Sequence, residues 1–155
     1  MAAGPWQVFT RAKRHIGLNN IDLSGVFRMC LMTNGASADM LKITNTGVST
    51  WSSISANEIS ARGGYAANGR SVPNIMWTVG ASTKQYQFDY TATGIIFTAS
   101  GSALNNIKYA VIRNSSGAGT GYVLCFCTLS STQFTISSPN TLTILPASTG
   151  VFTLA

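Results

Sequence analysis

Two hydrophobic periodicities divide the chain. In residues 5–16, PWQVFTRAKRHI, the apolar positions Trp6, Phe9, Ala12 and Ile16 recur three or four residues apart. That spacing puts them on one face of a helix. Pro5 suits the first helical position and Gly17 the stop. Arg11 and Arg14 point away from the apolar face. The helix is expected to pack either on its own domain or on a neighbouring subunit.

After Asn19-Asn20 the period becomes two. VFRMCLMT (26–33) sets Phe27, Met29 and Leu31 on one side, and YQFDY (86–90) alternates Tyr86, Phe88 and Tyr90 against Gln87 and Asp89. GIIFTA (94–99), IKYAVIR (107–113) and GYVLCFCTL (121–129) are apolar on both faces, as in central strands covered on two sides. QFTIS (133–137), LTIL (142–145) and VFTLA (151–155) complete the series, with turn chemistry at 114–121, 137–140 and 146–150. The pattern predicts an all-β fold, an antiparallel β-sandwich or flattened barrel, preceded by one short N-terminal amphipathic helix. One domain spans 1–155: the helix at 5–16, strand 26–33, a long excursion at 34–57, and a β-sandwich core at 58–155. The excursion is polar, with a short helix or turn expected around Trp51. Long loops of this kind tend to be functional or to contact partners.

Composition sharpens the picture. Charged residues make up 9% of the chain, against about 25% in an average domain. Ser, Thr, Asn and Gly take their place, so the surface has little electrostatic protection against association. That favours a life inside an assembly. The net charge is +6. Arg11, Lys13 and Arg14 sit together, but the other basic residues are scattered. A nucleic-acid binder concentrates its charge among aromatics, so no specific nucleic-acid partner is expected, only attraction to an acidic surface. The N-terminus lacks an apolar run before its charges, and no run reaches the ~20 residues of a membrane span. A soluble protein made in a cytoplasm, with no membrane partner, is the expectation. Cys30, Cys125 and Cys127 make an odd count, which argues against a disulfide framework.

Candidate chemistry is sparse. EISARGGYAANGRSV (58–72) has three glycines and two arginines, but it fits neither the GxxxxGK of a P-loop nor the GxGxxG of a dinucleotide site. It reads as two strands joined by a tight turn at Ala67-Asn68-Gly69, with Glu58 pairing with Arg62, Arg70 or a neighbouring subunit. Cys125 and Cys127 share one side of a strand. With only Cys30 and His15 as further ligands, they read as buried hydrophobes rather than a metal site. His15 and the acids Asp22, Asp39, Glu58 and Asp89 form no acid–base pattern. No enzyme, catalytic residue, metal or cofactor is expected.

The order of features resembles a family of small structural proteins of tailed bacteriophages, of the head-decoration or tail-associated type. The residues that carry the likeness are WQVFTRAKRHIGLNNIDL followed by VFRMCLMT, then NEISARGGYAANGRSV, then YAVIRNSSGAGTGYVLCFCTL, then FTISSPNTLTILPASTGVFTLA. The chain departs from its relatives in being basic rather than acidic, and in lacking an acidic residue in the second strand, CFCTL. The resemblance implies a virion protein, with a capsid decoration or cement protein on the outer head surface favoured. It would be a homo-oligomer, trimer favoured, whose partner is the major capsid protein. The alternative is a tail or connector component contacting tail proteins. Candidate contact residues are Trp6, Phe9, Arg11, Lys13 and Arg14, then Trp51. A third reading is a carbohydrate-binding module with Trp51, Tyr65, Trp77 and Tyr86 as stacking platforms.

Overall fold

The computed structural model describes residues 4–36, 47–79, 85–115, 121–147 and 150–154. The described chain is mostly antiparallel β with one short α-helix, as a sandwich or flattened barrel requires. Its strands are β1 (Gln7–Val8), β2 (Phe27–Met32), β3 (Arg70–Ser71), β4 (Met76–Val79), β5 (Tyr86–Asp89), β6 (Ile95–Thr98), β7 (Leu104–Ile107), β8 (Tyr109–Asn114), β9 (Val123–Thr128), β10 (Phe134–Ile136), β11 (Thr141–Ile144) and β12 (Phe152–Leu154). The helix α1 runs Thr10–Gly17.

One sheet has the order β1-β9-β8-β2-β3; smaller ladders are β12-β5-β4, β10-β7 and β11-β6. Register shows how the five-stranded sheet is covered. Cys30 lies opposite Val111, and Val111 opposite Phe126, so these three share one face. Met29, Ile112 and Cys125 share the other. The first face is covered by α1, through the Phe9–Phe126 ring contact at 5.0 Å, and by Trp51. The second receives the β12-β5-β4 sheet, with Phe27 edge-on to Phe88 at 5.5 Å. Phe88 in turn stacks on Phe152 at 5.0 Å. Buried on both faces, β8 and β9 are the doubly covered strands their apolar runs indicated.

Four expectations need correction. The helix does not begin at Pro5. Gln7–Val8 pair with Phe126 and Cys125 as an edge strand, and α1 starts only at Thr10. Sheet hydrogen bonds took residues whose apolar spacing also suited a helix. β6 is not doubly covered. Among the described residues it pairs only with β11; Ile95 and Phe97 are buried while Ile96 stays 42% exposed. RSVPNIMWTV (70–79) reads as strand-like through Pro73, but it is two strands in different sheets, parted at Pro73 and at Asn74, whose φ is 51°. Residues 58–72 are not a hairpin: Glu58 makes a single bridge to Met32, and β3 pairs with β2. β7 has no counterpart in the sequence reading, because Asn105 and Asn106 interrupt its alternation.

The 34–57 excursion holds 3-10 turns at Asn34–Ala36, Trp51–Ser53 and Ser55–Asn57. The short helical turn expected at Trp51 is there. Residues 37–46 of that excursion, with Asp39, lie outside the described residues, as do Lys84, residues 116–120 of the β8–β9 connection and Ala155.

Candidate functional site

The N-terminal contact candidates separate by burial. Phe9 is fully buried against Phe126, and Ala12 beneath it is buried too. Phe9 is therefore a core residue of its own domain, which corrects its reading as a surface contact. Trp6 is half-buried against the core and lines an apolar cleft of about 280 Å³ with Leu129, Phe134, Leu142 and Pro146. Among the described residues its buried indole N–H has no acceptor. Arg11 is half-buried, and Lys13 and Arg14 are exposed on the outer side of α1.

His15 ties α1 to the excursion. Its Nε2 lies 2.7 Å from Ser49 Oγ, and its ring lies tilted against Tyr122 with centroids 4.1 Å apart. The Asn20 amide nitrogen, a donor, sits 3.2 Å from Nδ1. Nδ1 is therefore the acceptor, and the proton of the neutral ring is on Nε2. Desolvation by burial, then the charges of Arg14 and Arg11, hold its pKa below the ordinary histidine value.

Trp51 is buried, which corrects its reading as an outward contact. Its main-chain N–H donates to Gly121 O at 2.7 Å, its Nε1 donates to Asn68 Oδ1 at 3.1 Å, and the buried Arg113 guanidinium lies 5.0 Å over its ring. That cation–π contact offsets part of the cost of burying Arg113.

Asn68 leads into the glycine-rich stretch, which forms a hydrogen-bonded knot. The buried Tyr65 hydroxyl donates to Glu58 Oε1 at 2.7 Å and accepts the Leu31 N–H at 3.0 Å. Glu58 Oε2 accepts the Asn68 N–H at 3.1 Å. Arg28 donates to Asn68 O and Gly69 O, each at 2.7 Å. The glycine at 69 is required. Its φ is 71°, and a Cβ there would sit 2.2 Å from Met29 O. Glu58 thus pairs with a tyrosine hydroxyl and a backbone amide rather than with Arg62 or Arg70. Burial raises the Tyr65 pKa above its ordinary value.

Beside this knot lies an open groove of about 650 Å³, lined by Arg28, Gly64, Arg70, Ser71, Ile96 and Thr98 among others. Arg70 donates to Ile96 O across it. No local motif announces this groove, because its two arginines are 42 positions apart in the sequence. Only the β2–β3 pairing brings them together.

The cysteines do not converge. Cys30 lies on the sheet face that α1 also covers, beside Gly69, whereas Cys125 and Cys127 face the opposite layer. Burial pushes the thiols of Cys30 and Cys127 up to about 12, and that of Cys125 well above its usual value. Among the described residues no group of three or more His, Cys, Asp or Glu gathers in metal-binding geometry. The proposed stacking platforms also separate. Trp51 and Tyr65 are buried and Trp77 is wedged edge-on against Phe88, which leaves Tyr86 exposed. Comparison with protein-family models, with curated proteins and with solved structures finds no match. Among the described residues no helix is long and apolar enough to cross a membrane.

Proposed function

We propose that the protein is a structural component of a tailed-phage virion, acting as a decoration or cement protein on the outer head surface. It works as a homo-oligomer, trimer favoured, bound to the major capsid protein. The order of the four sequence segments that resemble the phage family supports this reading. The observation that carries it is the surface. On a chain with 9% charged residues, Val79 is 62% and Tyr86 59% exposed, and they face each other across the β4–β5 pair. They continue the apolar row of Trp77 and Phe88 beyond the core. Apolar area of that kind gains roughly 25 cal/mol per Å² when a partner covers it. Lys13 and Arg14 on the outside of α1 add attraction to an acidic shell.

The test is co-sedimentation with purified heads that lack this protein. Saturable binding at a fixed ratio to the major capsid protein is the expected result. Binding to tails alone would move the protein to a tail or connector, and binding to neither would overturn the virion reading.

A further inference from the structure

The groove beside the glycine-rich knot exposes two strand edges and two arginines together. Ala99 N–H donates to Asn140 O at 2.9 Å, which extends the β6–β11 ladder by one pair and fixes its phase. Ile95 and Phe97 therefore turn their main-chain groups toward β11, and Ile96, Thr98 and Ser100 turn theirs the other way. On that outer side Ser100 N–H is taken by Gly63 O, Gly64 packs against Thr98 O, and Ile96 O accepts from Arg70. The N–H groups of Ile96 and Thr98 have no acceptor among the described residues. β3 behaves likewise. Val72 N–H donates to Phe27 O, so the neighbouring Ser71 turns its main chain away from β2.

Charge adds the second constraint. Among the described residues Arg28 and Arg70 line the groove and donate only to main-chain carbonyls, so neither guanidinium is ion-paired. Glu58, the acid of this turn, is already held by Tyr65 and Asn68.

We propose that this groove takes an extended, acidic protein segment as an added strand along β6. Its main chain meets the Ile96 and Thr98 amides, and its carboxylates meet Arg70 and Arg28. An incoming N–H takes over Ile96 O and frees the Arg70 guanidinium for a carboxylate. The strand edge is what selects a peptide. A phosphate or a sulfated sugar would use the guanidiniums and leave the two amides unmet. The chain itself has only four acids against ten Lys and Arg, so charge complementarity points to a partner protein. This inference does not depend on the virion reading, because its test uses the isolated protein.

The experiment selects a randomised nine-residue peptide library on the immobilised full chain. The expected result is enrichment of peptides rich in Asp and Glu. The exposed Arg70→Glu variant should bind the best of these at least about tenfold more weakly and select basic peptides instead. Hydrogen-exchange NMR should show the Ile96 and Thr98 amides protected only in the peptide complex. A thermal melt of the variant, with Arg70→Gln alongside, establishes that each is folded. Absence of enrichment, acidic selection unchanged by Arg70→Glu, or binding that leaves both amides unprotected would each overturn the proposal. So would Arg70-dependent heparin binding without peptide enrichment, which would assign the groove to an anionic glycan.

Discussion

Tyr65 gathers more of the structure into one atom than any other side chain of the glycine-rich stretch. Its hydroxyl gives the half-buried Glu58 a donor and the buried Leu31 N–H an acceptor. Tyr65→Phe leaves a buried N–H unmet, at a cost of about 1–3 kcal/mol. Urea unfolding should show a lower midpoint with an unchanged slope. Gly69→Ala should cost more, about 3 kcal/mol or above, because it combines a strained φ of 71° with a contact against Met29 backbone. The buried thiols provide a separate check. Cys30, Cys125 and Cys127 are all free and buried. None should react with Ellman's reagent at pH 8 in the native protein, and all should react once guanidinium unfolds it.

At the scale of elements, α1 is part of the domain's own core. Phe9→Ala should cost about 3–5 kcal/mol and lower the thermal midpoint of the entire domain. A helix that only reached out to a neighbour would leave that midpoint in place. The helix also carries a pH dependence. The pKa of folded His15 lies below its ordinary value of 6.5, so in acid the unfolded chain binds the proton more readily. Stability from this residue is complete above pH ~6.5 and declines as pH falls from there through the folded pKa. A protonated Nδ1 can no longer accept from the Asn20 amide nitrogen, and the exposed amide must turn its oxygen to the ring to keep the contact. His15→Gln should flatten this part of the stability–pH curve, measured by urea titrations between pH 7 and pH 5.

At the scale of the molecule, the sandwich leaves an apolar edge at one end and a basic groove beside its glycine-rich turn. Replacing Val79 and Tyr86 together with Lys should abolish head binding or self-association, read by co-sedimentation and analytical ultracentrifugation. Because both side chains are mostly exposed, the thermal midpoint should fall by no more than a few degrees, the facing lysines repelling each other across the β4–β5 pair. Loss of assembly with loss of folding would instead make the pair part of the core.

Local pattern alone determined the β class, the doubly covered β8 and β9, and the shared side of Phe27, Met29 and Leu31. Those features depend on period-two alternation and on continuous apolar runs, which each strand carries within itself. The end of α1 at Gly17 was legible for the same reason. Its beginning was not, because Trp6 and Phe9 suit a helix face by spacing, and only pairing with β9 makes Gln7–Val8 a strand. The candidate contacts were legible as residue types but not as positions: aromatic side chains serve cores and interfaces equally, and folding put Phe9 and Trp51 inside. The knot around Tyr65 and the groove between β3 and β6 belong to tertiary structure. They join Arg28, Leu31, Trp51, Glu58, Arg70 and Ile96, residues distant along the chain, through backbone groups whose direction is set only when the strands pair.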